Sequence, residues 1–354
     1  MVTKLFYILK GNNGATYICN AKNWKSSSQS LKFYKARSIK ATTLKQGLHW
    51  YLFLKGRFFK AKLKSVIEID QYLQKVTAIN TTFNINENCS VLISPTNDKV
   101  IVHHHNDYFQ KFAFGQSYNK VKNEAEVYKL FNEPNTFQVS VFFDEKDILN
   151  NFCSFKLKNK SSNLYKNTSE AFSLVSAIVE FFNVSKQQNY SIYKYVQIIQ
   201  DKLLEVDKSQ FKSQIKVVDE LKDKYGHLSL PLGLVHRDFK PWNILHSEKI
   251  LIYDFEETII DGPPLEDLFN YFIDPIILYK KPQEVIKYIY SKKNIRLYNR
   301  YLKELKIEID FDFFLQIYLV NRMLFWENEN KMIMMYKYVD LSNHLTACHI
   351  NQLN

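Results

Sequence analysis

Cysteine is scarce and scattered. The four in 354 residues, at positions 19, 89, 153 and 348, share none of the spacings that build a zinc site and suggest no disulfide framework, so a reducing cytosol is expected. Long apolar runs are missing as well. No stretch reaches the roughly 18 apolar residues a spanning helix needs, and the N-terminal MVTKLFYILKGNNG has a short apolar run without a small-residue cleavage pattern. Membrane spanning and export are therefore both disfavoured. Acidic residues are absent from the first 67 positions, which hold twelve Lys and two Arg, more than the whole formal excess of +12. The rest of the chain is close to neutral. What is abundant is apolar and aromatic side chain, 46% and 15% of residues, enough for a sizeable core in two or three domains.

The most informative stretch is His236-Arg237-Asp238-Phe239-Lys240-Pro241-Trp242-Asn243, followed by Asp254-Phe255-Glu256. Between them, Ile244-Leu245-His246 and Ile250-Leu251-Ile252 flank a polar tip, which reads as a β-hairpin. With Leu245 opposite Ile250, Asn243 falls opposite Ile252, and strand alternation then sends Asn243, Ile252 and Asp254 to one side. An amide and a carboxylate so placed are the hard oxygen ligands that Mg²⁺ takes while bridging nucleotide phosphates. Asp238, in the loop just before the hairpin, is placed to orient an acceptor hydroxyl and receive its proton. Each of these residues alone is an ordinary turn or strand-end residue. Their joint spacing is what points to phosphoryl transfer.

The strings VHRDFKPWNIL, IYDFEE and GPPLEDLFNY resemble the aminoglycoside phosphotransferase and choline kinase group, small-molecule kinases with a protein-kinase-like fold. By position, the resemblance makes Asp238 the catalytic Asp and Asn243 and Asp254 the metal ligands. Asp267 corresponds to the helical Asp that braces the catalytic loop through its backbone; the plain alternative is a charge favoured by the start of a helix at Pro263-Pro264. Arg237 and Lys240 stand as in protein kinases, and Lys240 is a candidate contact for the transferred phosphoryl group. Asp254 and Asp267 are too close in sequence for a peptide-docking activation segment, and no Ala-Pro-Glu follows. His236 is expected as a packed, hydrogen-bonded member of the loop. Glu256 is a weaker candidate for a second Mg²⁺ or the acceptor.

The other half of such a site is expected upstream. Ser90–Ser94, Val100–His104 and Tyr108–Phe114 read as strands of an antiparallel sheet. A helix over 119–131 puts Glu124, Val127, Tyr128 and Phe131 on one face, so Glu124 points inward and needs a partner. Lys111 on the preceding strand is the nearest, which matches the kinase pair in which a strand Lys grips the α- and β-phosphates and a helix Glu holds it. Lys99 competes with Lys111 as a phosphate contact. The turn Ser94-Pro95-Thr96-Asn97-Asp98 contains none of the glycines that let backbone N–H groups approach phosphates, which leaves the choice of ATP or GTP open. The tract His103-His104-His105 alternates faces on a strand and is a poor metal site.

Further strands are expected over 136–143 and 151–157, a polar loop over 158–169, and a helix from an N-cap at Thr168-Ser169 to Val184. Helical patterns follow at 192–206, 208–225, 264–280, 283–291, 295–306 and 311–327. The expectation is an α+β, protein-kinase-like two-lobed fold: a basic accessory segment over 1–85, a small β-rich N-lobe over 86–160, and a mostly helical C-lobe over 161–354 carrying the loop 236–243. Residues 1–67 interleave their cations with Trp24, Phe33, Tyr34, Trp50, Tyr51, Phe53, Phe58 and Phe59. That combination suits peripheral contact with an anionic membrane surface better than nucleic acid, whose motifs are missing, although a solvated basic face is the simplest reading.

The expected activity is Mg²⁺-dependent transfer of the terminal phosphoryl group of ATP or GTP to a hydroxyl of a small molecule, such as a sugar, an amino alcohol or a cell-envelope precursor. The expected location is the cytoplasm, with membrane-peripheral contact open. An inactive nucleotide-binding module and a protein-kinase-like enzyme are the alternatives.

Overall fold

The computed structural model describes residues 3–353 except 12–13, 32–38, 59–61, 80, 106, 149–151, 159–162, 165–170, 207–210 and 247–248. The chain divides into two compact units, Met1–Lys129 with Ser140–Ser161, and Leu130–Val139 with Ser162–Asn354. The N-cap expected at Thr168-Ser169 lies outside the described residues.

The first unit is built on one antiparallel sheet of eight strands. Its members are β1 (Lys4–Lys10), β2 (Thr16–Asn20), β3 (Lys64–Ser65), β4 (Cys89–Ile93), β5 (Lys99–His104), β6 (Tyr108–Phe114), β8 (Phe142–Ile148) and β9 (Phe152–Lys158), in the order β3-β1-β2-β4-β5-β6-β9-β8. The basic segment read from sequence as an accessory thus contributes three strands to the sheet that carries β4–β6. The β1–β2 turn uses Gly14 in left-handed backbone, where an added Cβ would meet the Pro95 Cβ at 3.3 Å. One sheet face packs Phe6, Ile18, Val91 and Val100 against Ile69 and Leu73 of α3 (Val66–Thr77). A reciprocal pair of bonds between Ser65 and Glu68 starts that helix. Two further helices, α1 (Trp24–Ser30) and α2 (Ile39–Phe58), lie between β2 and β3. Following β6, α4 (Tyr118–Lys129) buries Val121, Glu124, Ala125 and Tyr128.

The second unit is mostly helical: α5 (Ala171–Asn183), α6 (Ile192–Glu205), α7 (Lys212–Tyr225), α8 (Glu266–Ile273), α9 (Pro282–Ile289), α10 (Lys292–Leu305), α11 (Phe311–Asn328) and α12 (Met332–Leu353). Two small sheets accompany them. One joins β10 (Asn163–Leu164), β13 (Ile244–His246), β14 (Ile250–Ile252) and β7 (Phe137–Gln138); the other joins β11 (Gln187–Ser191), β12 (Ser229–Val235) and β15 (Ile259–Gly262).

Three expectations are corrected. The strand expected over 136–143 is two: β7 pairs in parallel with β14 in the second unit, and β8 joins the first unit's sheet. The Glu180 carboxylate on α5 draws residues 135–136 away by accepting the N–H groups of Asn135 at 2.7 Å and Thr136 at 2.6 Å. The helix expected over 264–280 ends at Ile273, because Pro275 has no N–H with which to continue it. The hairpin register differs by one: Ile244 faces Ile252, Leu245 faces Leu251 and His246 faces Ile250. All three residues of β14 are buried, so apolar alternation could not single out the register.

Candidate active site

In the first unit, Lys111 on β6 and Glu124 on α4 form an ion pair of 2.6 Å, both buried. A buried charge pair of this kind persists because losing either partner strands the other. Lys99, the other phosphate candidate, starts β5 opposite Ala113 and is half-buried. The turn before it closes on itself. Asp98 accepts the hydroxyls of Ser94, at 2.9 Å, and Thr96, and the Lys99 N–H donates to Ser94 Oγ at 3.1 Å. Burial raises the Asp98 pKa, but the hydroxyls of Thr96, Ser94 and Ser117 outweigh it and hold the carboxyl below its ordinary value. In place of glycine, Asn97 supplies the left-handed residue of this turn. The histidine tract is spent on packing: His103 stacks on Phe109 at 4.3 Å and His104 on Tyr108 at 4.2 Å. Cys19, Cys89 and Cys153 are buried free thiols.

In the second unit, the chain leaving β12 turns through left-handed backbone at Arg237 (φ 60°). Such a conformation needs support, and Asp267 on α8 supplies it: one oxygen accepts the His236 N–H at 2.9 Å and the other the Arg237 N–H at 3.0 Å. Burial pushes the Asp267 carboxyl up to about 7, with Glu266 pushing the same way and the two N–H donors pulling back. His236 is fully buried. Its Nε2 lies 3.0 Å from the Tyr253 carbonyl, to which it must donate, and its Nδ1 accepts the Asp238 N–H at 3.3 Å. That fixes the neutral tautomer, in keeping with a pKa lowered by burial. The ring also packs on Phe255, which stacks on Phe181 of α5, so the Asp254-Phe255-Glu256 turn and the loop share one aromatic anchor.

Asp238 is held on both carboxylate oxygens. Asn243 Nδ2 donates to Oδ2 at 2.7 Å and to the Asp238 carbonyl at 2.9 Å, and Lys240 pairs with Oδ1. Committing its NH₂ to Asp238 leaves Asn243 with Oδ1 as its free-standing ligand atom. Asp254 follows β14 in left-handed backbone (φ 72°), so strand alternation does not reach it, and it caps the short helical turn Phe255–Glu257. Asp254 and Glu256 bring carboxylate oxygens within 4.8 Å of each other. The donors are all oxygen, the chemistry that suits Mg²⁺. The structure therefore gathers Asp238, Lys240, Asn243, His236 and Asp267 about one loop, with Asp254 and Glu256 in the following turn. Lys111 and Glu124 are paired in the other unit.

Sequence reasoning missed Asp274. This carboxylate, at the end of α8, accepts Arg322 Nη2 at 2.8 Å, the Tyr318 hydroxyl at 2.8 Å and the Tyr338 hydroxyl, and pairs with Lys240 at 3.2 Å. Burial raises its pKa, yet the charges of Arg322 and Lys240 outweigh that and keep it below the usual carboxylate value. Arg322 reaches the loop directly, donating to the Arg237 carbonyl at 3.2 Å. Arg237 itself lies over the Phe325 ring and 3.5 Å from Glu266, whose pKa burial raises against the pull of Arg237. The available signal was Arg322, a lone cation on the apolar helix α11, which demanded a counter-charge as Glu124 did.

Residues 183–279 match the model of the phosphotransferase enzyme family. That stretch contains the loop, Asp254 and Asp267. Among solved structures, the chain is similar to the GDP and kanamycin complex of APH(2")-IIia, with 11% identity, 71% of this chain and 90% of that one covered, and a TM-score of 0.48. It is also similar to a thermostable mutant of aminoglycoside phosphotransferase APH(4)-Ia with ADP and hygromycin B (12%, 78% and 97%, 0.49). A third is an amicoumacin kinase with AMP-PNP and Ca²⁺ (13%, 78% and 93%, 0.48). No curated protein matches the chain in sequence.

Proposed function

We propose that this protein is a small-molecule kinase that transfers the terminal phosphoryl group of ATP or GTP to a hydroxyl group. The observation that carries this reading is the Asp238 carboxylate, fixed by Asn243 and Lys240 in a loop whose backbone Asp267 holds. Asp238 orients the acceptor hydroxyl and takes its proton as the new O–P bond forms; the bond from phosphorus to the bridging oxygen breaks and the nucleoside diphosphate leaves. Lys240 stands beside that carboxylate and meets the transferred group with positive charge. Asn243 Oδ1 and Asp254 would hold Mg²⁺, which neutralises phosphate charge when bound. Lys111, steadied by Glu124, is assigned to the α- and β-phosphates, with Lys99 the lesser candidate.

The acceptor is a small hydroxyl compound. Between Asp254 and Asp267 the chain forms a helical turn, β15 and the first residues of α8, which leaves no peptide-docking segment there. The acid-free N-terminal segment fits an anionic acceptor, such as a cell-envelope precursor, better than a polycation. A cytoplasmic setting with peripheral contact to an anionic membrane belongs to the same reading; no helix among the described residues is long and apolar enough to cross a membrane. One observation favours the second reading, an inactive nucleotide-binding module: the phosphate turn carries the ionised Asp98 and no glycine. Nucleotide binding and slow hydrolysis, measured with and without Mg²⁺, separate the two. Turnover that needs Mg²⁺ and vanishes in Asp238→Asn supports the kinase; metal-indifferent binding without turnover supports the module.

A further inference from the structure

Helix α2 is apolar on two sides. Its inner side packs on the β1–β2 part of the sheet, where Leu52 is fully buried with Cys19 and Leu31. A Cβ on Gly56 would lie 1.8 Å from the Ala21 carbonyl oxygen, so the helix sits tightly against the backbone there. With the inner side fixed, Leu44, Leu54 and Phe58 recur at sums of three- and four-residue steps on the outer side, flanked by Trp50 and, at the edge where its hydroxyl lies 3.0 Å from that of Tyr7 on β1, by Tyr51. All five are exposed, Leu44 by 62% and Phe58 by 66%. Trp24 of α1 extends the patch: it is exposed, and its ring lies 4.6 Å from that of Trp50. A helix apolar on opposite sides leaves one side in water unless something covers it, and a contiguous exposed patch of this kind marks an interaction surface.

We propose that the outer face of α2, together with Trp24, docks onto the surface of an anionic lipid bilayer. Charge complementarity selects this partner. The first 67 residues contain fourteen cations and no anion, with Lys25 and Arg57 exposed near the patch. A second copy presenting the same face would meet this charge with its own. Nucleic acid would use the cations and stack on the rings, but would gain little from Leu44 and Leu54. A bilayer interface uses every part: aliphatic side chains enter the acyl boundary, Trp and Tyr sit at headgroup depth, and cations meet anionic lipid. Docking of this kind deepens the peripheral contact proposed above and rests on that reading, but not on phosphoryl transfer.

The test is vesicle flotation of the full chain on phosphatidylcholine vesicles, with and without about 30% phosphatidylserine, at about 0.1 M and 0.5 M salt. The wild type is expected to float with the anionic vesicles at low salt, with a blue shift of tryptophan emission, and to be released at high salt. Leu54→Glu combined with Phe58→Glu should lower binding roughly tenfold or more without altering the melting temperature, since both positions are exposed. Asp238→Asn should float like the wild type whether or not the protein is a kinase, which keeps the two readings separable. Absence of flotation at low salt, equal flotation of the double variant, or a patch-dependent switch to dimers or to oligonucleotide binding instead would overturn the proposal.

Discussion

Neutralising Asp274 should destabilise the helical unit far more than its change in shape suggests. Asp274 and Arg322 are each 1% exposed and 2.8 Å apart. Asn at position 274 keeps the shape and one oxygen for the tyrosine hydroxyls but leaves the guanidinium without its carboxylate. Stranding a buried charge costs about 3–5 kcal/mol. For a unit of about 200 residues, each kcal/mol lowers the melting temperature by roughly 2–4 °C, so Asp274→Asn should lower it by about 10 °C. Thermal unfolding followed by circular dichroism reads this. Two companions sharpen the result. Tyr338→Phe removes one hydroxyl donor and should cost about 1 kcal/mol. Asp274→Asn combined with Arg322→Met removes the stranded charge, so the double variant should be more stable than Asp274→Asn alone. A loss below about 1 kcal/mol for Asp274→Asn, or a double variant as unstable as the sum of its parts, would refute the reasoning.

Other outcomes follow from the same geometry. Asp274 has a lowered pKa, so its stabilisation is present above the ordinary carboxylate value of about 4 and is lost as pH falls below it; acid titrations of the wild type should show this component and Asp274→Asn should not. Asp267 runs the other way: raised to about 7, its contribution is full below about pH 4 and lost as pH rises through 7, so the stability difference between wild type and Asp267→Asn should shrink across that window. Asp267→Asn also offers one acceptor to two N–H groups and should slow turnover more than it weakens nucleotide binding, as separate measurements of kcat and KM would show. Lys111→Met leaves Glu124 buried without its cation, and calorimetry should show a loss of about 3–5 kcal/mol along with weaker nucleotide binding.

The gathering of Asp238, Lys240 and Asn243 in one loop was legible because these residues are close in sequence. The Lys111–Glu124 pair was legible through helical period: a carboxylate three and four residues before Val127 and Tyr128 faces the core and needs a cation. Where both faces of an element are buried, pattern loses its power, and the hairpin register around β14 was misjudged for that reason. Tertiary partners were the least visible. Nothing local links Asp274 to Arg322, which lies three turns into another helix, or joins β1 and β2 to the β4 edge. Composition made residues 1–67 look like a separate piece, whereas sheet order is a long-range property that charge does not report.

The most direct test of Asp238-centred transfer is a mass-spectrometric screen of hydroxyl-bearing metabolites incubated with Mg²⁺ and ATP or GTP, for the wild type and Asp238→Asn in parallel. The account predicts at least one acceptor that gains a single phosphate with the wild type and does not with the variant. A product formed equally by both proteins, or nucleotide that is bound yet never consumed on any acceptor, would contradict it.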